Sequence, residues 1–101
     1  MICGSLRKES WNRKLMNAAI KHRPLDVEAF ESINIGEIPH LDDDIAKVRL
    51  PDPVQKLNAQ IEASDVVVFV TPEYNYGVPG VLKNVLDWIT CPHPPDNKLR
   101  P

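Results

Sequence analysis

The feature that most constrains the fold is a run of five apolar residues, 66–70, followed directly by a polar loop, 71–80. Four of the five are valine, and an unbroken apolar run of this length is typical of a strand covered on both faces, as in a parallel sheet. The loop leaves the carboxyl end of that strand, where open α/β sheets bind ligands. The sequence therefore predicts a cofactor-binding loop at residues 71–80. The alternative is that Tyr74 and Tyr76 only pack beneath a loop stiffened by prolines.

Signals on the amino-terminal side of this strand predict alternating strands and helices. A short apolar strand at residues 1–3 precedes a helix that Ser10 caps and that extends to about His22. Residues 25–30 alternate weakly between apolar and polar and predict a second strand, whereas residues 31–50 are expected to form a loop. Helical spacing assigns four residues to the buried face of the first helix: Trp11, Leu15, Ala18 and Ala19.

Two further helices are expected on either side of the run at residues 66–70. Asp52 is a candidate N-cap followed by proline at the first helical position, and this helix should end near Ser64. Pro79 begins the last helix. The order βαβαβα predicts the α/β class, with a doubly wound parallel sheet between two layers of helices. The apolar faces of these helices comprise Val54, Leu57 and Ile61, then Leu82, Val85, Leu86 and Ile89.

The length and charge of the chain exclude several classes of protein. The 101 residues suffice for one domain, and a net charge of −2 without a cluster of basic residues argues against nucleic-acid binding. No apolar run approaches the roughly 20 residues that span a membrane. Two widely separated cysteines do not form a secreted disulfide framework, so we expect a cytoplasmic protein. The proline-rich residues 91–101 are predicted to be a connector.

Residues 4–12 have the position of a phosphate loop, because they leave a strand, turn on Gly4 and enter a helix whose free N–H groups favour an anion. They match neither the P-loop nor the dinucleotide fingerprint, so one phosphate group is the better interpretation. The alternative is an ordinary turn in which Ser10 only caps the helix. If the first and third strands are neighbours, this loop and residues 71–80 meet at one edge of the sheet. The candidate phosphate ligands are Ser5, Arg7, Ser10 and Asn12.

No metal site is expected. Three adjacent carboxylates at residues 42–44 cannot all face one ion, and a solvated loop is the simpler interpretation. Cys91 and His93 lack the second pair of ligands that a zinc site needs.

The two segments GSLRKESWN, residues 4–12, and TPEYNYGVPGVLKNVLDW, residues 71–88, resemble the NADPH-dependent FMN reductase family, the flavodoxin-like group that includes quinone, chromate and azo-dye reductases. The resemblance implies FMN as cofactor and NADPH or NADH as co-substrate. Hydride would pass through FMN to a quinone-like or other small acceptor, with no side chain acting as a catalytic acid or base. It also implies that Ser5, Arg7, Ser10 and Asn12 hold the FMN phosphate, and that Pro72, Glu73, Tyr74 and Asn75, with Tyr76 beside them, contact the rest of the cofactor.

The resemblance also bears on size and assembly. Members of that family are longer, so residues 1–101 are expected to carry only the first half of a flavodoxin-like FMN-binding domain. Residues 66–70 would then form an exposed edge strand. Family members associate as homodimers or homotetramers, and the same is implied here. Two other functions remain open: a truncated, catalytically inactive flavin-fold fragment or interaction module, and a flavodoxin-type electron carrier, which the mild charge disfavours.

Overall fold

The computed structural model describes residues 1–90 of the chain. Two strands and four helices lie in that range, in the order strand, three helices, strand, helix. They are β1 (Ile2–Cys3), α1 (Trp11–Lys21), α2 (Asp43–Val48), α3 (Asp52–Glu62), β2 (Phe69–Val70) and α4 (Gly80–Thr90). The connector predicted at residues 91–101 lies outside the described residues.

Within residues 1–90 the sheet consists of two parallel strands, β1 and β2. β1 and β2 are neighbours, with Ile2 opposite Phe69. The Gly4 N–H extends their ladder by donating to the Val70 carbonyl at 2.9 Å. On its other side, Ile2 forms an isolated parallel bridge with Ile33. The condition under which the two predicted loops meet, that the strands preceding them are neighbours, is therefore met.

Two packed clusters of apolar residues form the core on the Ile2 side of the sheet and between the helices beside it. The first joins β1 to α3 and α4, and the second joins α2, α3 and α4. Because side chains alternate along a strand, Cys3 lies on the face opposite Ile2. On α1, which contacts both strands, the buried residue is Met16, and it belongs to neither cluster. Helices therefore cover both faces, as predicted. The clusters comprise Ile2, Ile33, Ile35, Leu57, Leu82 and Val85, then Ala46, Leu50, Val54 and Trp88.

The second strand predicted at residues 25–30 is wrong. Those residues form a turn followed by irregular chain, and Leu25 is fully exposed. The segment that approaches β1 comes later, where Ile33 and Ile35 are both buried. The apolar residues that alternate at 25–30 do not belong to the core, whereas Ile33 and Ile35 pack in it. The extended segment beside β1 therefore lies several residues later in the chain than predicted.

The loop expected at residues 31–50 contains α2, so the interpretation of the acidic triplet as solvated loop is also wrong. Asp42 is the N-cap, and its Oδ1 accepts the Asp44 N–H at 2.9 Å. Asp43 and Asp44 occupy the first turn, where the helix dipole favours negative charge. The three carboxylates therefore start a helix.

The bounds of the predicted helices were accurate to within about two residues, but one predicted buried face was wrong. α1 has Ser10 as N-cap, as predicted. The predicted face is wrong, because Trp11 is 76% exposed and Leu15 is 62% exposed, whereas Met16 is buried. The N-cap predicted at Asp52 is instead Pro51. The faces predicted for α3 and α4 do pack into the core.

β2 is less covered than the apolar run suggested. Val66 and Phe69 are exposed, and only Phe69–Val70 is regular strand. Within residues 1–90 no strand pairs with the outer edge of β2. Residues 66–70 are therefore less covered than an apolar run of this kind predicts, and the exposed edge strand expected there is present within residues 1–90. No helix among residues 1–90 is both long and apolar enough to cross a membrane.

Candidate functional site

The loops that follow β1 and β2 meet at the carboxyl end of the sheet. Gly4 follows β1 directly, and Thr71 follows β2. A Cβ atom on Gly4 would lie 2.2 Å from the Thr71 Oγ1 and 2.6 Å from the Thr71 Cβ. Only glycine leaves room for this approach, since real Cβ atoms do not come so close to other heavy atoms. The structure thus brings together the two segments that the sequence singled out.

The loop after β1 is compact, and both of its serines are buried. Ser5 is 7% exposed and Ser10 is 4% exposed. The Ser5 Oγ accepts the Arg7 N–H at 3.3 Å, and the Ser10 N–H donates to the Arg7 carbonyl at 3.2 Å. The Ser10 Oγ caps α1 by accepting the Arg13 N–H at 3.5 Å. Both hydroxyls act as acceptors in these bonds, so each O–H hydrogen can still be donated to an anion.

The other two predicted phosphate ligands differ in their surroundings. Asn12 is half-buried in the first turn of α1, and Arg7 is exposed on the loop. None of the ion pairs among residues 1–90 involves Arg7. Its guanidinium is therefore available to a negatively charged ligand at the amino-terminal end of α1, where the helix dipole also favours an anion.

The loop after β2 contains a tight reverse turn. Tyr74 and Gly77 exchange two backbone hydrogen bonds, of 2.9 and 3.0 Å. Between them, Asn75 has a φ of 51° and Tyr76 a φ of 62°, which is the geometry of a type I′ turn. Tyr76 is 100% exposed and Tyr74 is also exposed, so the alternative that they pack beneath the loop is wrong. Of the remaining predicted residues, Pro72 is half-buried and Glu73 is exposed.

The backbone of Tyr76 yields a stability prediction. A bulky residue in the left-handed region is strained, whereas Asn-Gly is the favoured pair in a type I′ turn. Tyr76→Gly is therefore expected to raise the free energy of unfolding by about 0.5–1 kcal/mol, since relief of about 1–2 kcal/mol exceeds the entropic cost of glycine. Urea unfolding would measure the change.

Tyr74→Gly is the matched control for this prediction. The same substitution there removes a tyrosine from a residue outside the left-handed region, so only the entropic cost remains and stability should fall. Equal losses of stability in the two variants would contradict strain at Tyr76.

Sequence reasoning missed two residues whose side chains bind backbone groups far from them in the chain. Arg13 reaches back from α1, and its Nη2 donates to the Ser5 carbonyl at 3.1 Å. Asn84 holds a distant segment against α4, because its Oδ1 accepts the Leu41 N–H and its Nδ2 donates to the Pro39 carbonyl, both at 2.9 Å. The position of Arg13 was the available signal, because a cationic residue in the first turn of a helix lies close to the loop that precedes it. No local signal connected Asn84 to a segment more than forty residues away.

The side chains of the two loops are mainly polar or aromatic. No group of three His, Cys, Asp or Glu residues within residues 1–90 is placed to hold a metal. The predicted residues of the two loops and of the first turn of α1 supply hydroxyls, an amide, a guanidinium and aromatic rings. This set suits a ligand with an anionic end and a flat, partly polar end.

Comparison with known proteins identifies similar chains along nearly the full sequence. The family model described as NADPH-dependent FMN reductase matches residues 1–100. A quinone reductase from Pseudomonas putida is 42% identical over 87 residues, which are 86% of this chain and 46% of that protein. An NAD(P)H-dependent FMN reductase from Pseudomonas aeruginosa is 40% identical over 91 residues, or 90% of this chain and 49% of that one.

A solved structure shares the fold. FerB, a flavoenzyme NAD(P)H:(acceptor) oxidoreductase from Paracoccus denitrificans, superposes with a TM-score of 0.82 and 42% identity, covering 95% of this chain and 50% of that one. The predicted flavodoxin-like fold is confirmed by this match. The chain spans about half the length of the relatives that it matches.

Proposed function

Because the chain belongs to the NADPH-dependent FMN reductase family, we propose that its two loops bind FMN and that the protein is an NAD(P)H-dependent oxidoreductase acting on a quinone-like acceptor. One observation carries this proposal: the loops leave adjacent parallel strands and touch where Gly4 faces Thr71. A ligand that spans both loops would contact an anion-binding end and an aromatic end at once. FMN has those two ends.

The phosphate end of the ligand is assigned to the loop after β1. Ser5 and Ser10 are buried there with O–H hydrogens that can be donated, and Asn12 adds an amide in the first turn of α1. Arg7 adds a positive charge that no carboxylate in residues 1–90 neutralises. Hydroxyl, amide and guanidinium donors at a helix amino terminus fit a monophosphate group.

The ring end is assigned to the loop after β2. Pro72, Glu73, Tyr74, Asn75 and Tyr76 form or lead into the type I′ turn. FMN, when bound, would accept and pass on a hydride, while the residues of this chain bind and orient it. No side chain in either loop needs to transfer a proton in this proposal.

A quinone-like acceptor follows from the relatives and suits the exposed tyrosines. The relative from Pseudomonas putida is a quinone reductase, and FerB is described as acting on an acceptor. The Tyr74 and Tyr76 rings are exposed beside the proposed ring end, and aromatic rings stack on flat molecules of this kind. A cytoplasmic homodimer or homotetramer, using either NADPH or NADH, completes the proposal.

A second candidate function is a catalytically inactive flavin-fold fragment or interaction module. The observation that favours it is the unpaired outer edge of β2 within residues 1–90, together with the exposed Phe69. An unpaired edge strand is a template for pairing with another chain. The two candidates differ in whether bound FMN is reduced by NADPH.

Flavin binding tests the phosphate assignment. Titration of the chain, monitored by quenching of flavin fluorescence, should give a lower Kd for FMN than for riboflavin, because only FMN carries the phosphate. Arg7→Ala should weaken FMN about tenfold, the loss expected for one charge-assisted hydrogen bond, and leave riboflavin unchanged. Arg49→Ala is the control, since Arg49 is paired with Asp52 at 2.8 Å and belongs to neither loop.

The possible results of these titrations distinguish the phosphate assignment, the proposed function and the second candidate function. Equal losses of FMN and riboflavin in Arg7→Ala would refute the phosphate role of the loop after β1. A folded chain that binds neither flavin would refute the proposed function. A chain that binds FMN but does not oxidise NADPH in the presence of a quinone would favour the second candidate.

A further inference from the structure

Arg13 is connected to both serines of the loop after β1. Its Nη2 donates to the Ser5 carbonyl at 3.1 Å, and its backbone N–H donates to the Ser10 Oγ at 3.5 Å. The two serines are nearly inaccessible to solvent, and Arg13 itself is half-buried. One residue of α1 therefore fixes both ends of the loop.

Arg13 and its neighbour Lys14 differ in their ionic contacts within residues 1–90. The next residue, Lys14, is paired with Glu9 at 3.3 Å, and its Nζ lies 4.7 Å from the centre of the Trp11 ring. None of the ion pairs among residues 1–90 involves Arg13. Of two adjacent cations, one is engaged at the surface, and the other lies against the loop that we assign to phosphate.

We propose that Arg13 is a positioning residue for the phosphate end of the ligand, an inference that rests on the proposed function. By bonding the Ser5 carbonyl, it holds the Ser5 hydroxyl in place before the ligand arrives. A loop segment that is already held by a hydrogen bond loses little further freedom when the ligand binds. A preorganised loop therefore binds the ligand more tightly. Arg7, exposed on the loop, contacts the anion itself, whereas Arg13 acts through Ser5.

The first experiment compares flavin binding by three variants. Arg13→Met keeps the aliphatic stem and removes the donors, and it should weaken FMN about tenfold while changing riboflavin less than about twofold. Arg13→Lys keeps the charge but loses the planar fork, so its loss of FMN affinity should be intermediate. Lys14→Met is the control and should bind both flavins like the parent chain.

The ratio of the two affinities distinguishes positioning from a merely structural role. A structural role would weaken FMN and riboflavin equally, and an unchanged ratio in Arg13→Met would overturn the inference. If Arg13→Met does not fold, as judged by circular dichroism, the same ratio measured on Arg13→Lys decides. A parent chain without a preference for FMN would refute the proposed function instead, so the two failures are distinguishable.

A double-mutant cycle tests whether Arg13 acts through Ser5. Ser5→Ala removes the hydroxyl but keeps the carbonyl that Arg13 binds. If Arg13 positions that hydroxyl, adding Arg13→Met to Ser5→Ala should change the Kd for FMN less than about threefold, rather than tenfold. If Arg13→Met instead raises the Kd for FMN by the same factor with and without Ser5→Ala, the positioning role is overturned.

Discussion

Replacing Gly4 by alanine is expected to lower the free energy of unfolding by about 3 kcal/mol, near the upper end for an overpacked core position. The added Cβ would lie 2.2 Å from the Thr71 Oγ1 and 2.6 Å from the Thr71 Cβ. Rotation of the threonine side chain could move its Oγ1 away, but the position of its Cβ is fixed by the backbone. The loops after β1 and β2 must therefore separate, which also strains the bond from the Gly4 N–H to Val70. Urea unfolding would measure the loss.

Gly80→Ala is the matched control for Gly4→Ala. No heavy atom lies within 4 Å of a Cβ built on Gly80, and this residue begins α4, so alanine should leave stability unchanged or raise it. Adding Thr71→Gly to Gly4→Ala removes both clashing atoms and should restore part of the lost stability. Equal unfolding midpoints for Gly4→Ala and Gly80→Ala would show that the two loops do not meet as described.

Local signals were sufficient for the parts of the fold that depend on neighbouring residues. Ser10 was predicted as a cap because a hydroxyl before a helical stretch can accept an N–H of the first turn, and it does. The pairing of β1 with β2 was assumed from the way doubly wound sheets are arranged, and the structure meets that assumption. The meeting of the two loops is a consequence of that pairing.

Other features depend on packing partners that a local pattern does not reveal. α1 has apolar residues on two sides, and the strands happen to cover the side with Met16, so Trp11 and Leu15 are left exposed. The strand predicted at residues 25–30 failed for the same reason, since the isoleucines that face the core come later. Periodicity shows that a face exists but does not decide which face is buried.

The candidate site was predictable in outline for a similar reason. Eight of its nine residues lie on the two loops that the neighbouring strands bring to one edge, and Asn12 lies in the first turn of α1, so their shared location depends on the pairing of those strands. The type I′ turn was not predicted, because Tyr76 occupies a position where glycine is the usual residue. Arg13 was also missed, because its side chain reaches a carbonyl eight residues earlier in the chain.

Trp88→Ala should cause the largest loss of stability, about 3–5 kcal/mol, the range for truncating a buried aromatic residue. Trp88 is 0% exposed and packs in the cluster that contains Ala46, Leu50 and Val54. Its Nε1 also donates to the Pro39 carbonyl at 2.7 Å. Because domains are stable by only about 5–15 kcal/mol, this variant should be partly unfolded at modest urea concentrations. Circular dichroism during urea unfolding would measure the shift.

The exposed tryptophan, Trp11, provides the control for this prediction. Trp11→Ala deletes the same side chain from an exposed position and should change stability by less than about 0.5 kcal/mol. Trp88→Phe keeps an aromatic ring in the core but removes the hydrogen bond of the indole. The Pro39 carbonyl still accepts a hydrogen bond from the Asn84 Nδ2 at 2.9 Å, so it is not left unpaired. The free energy of unfolding should therefore fall by only about 1 kcal/mol. Comparable losses for Trp11→Ala and Trp88→Ala would mean that α4 does not pack against α2 and α3 through Trp88.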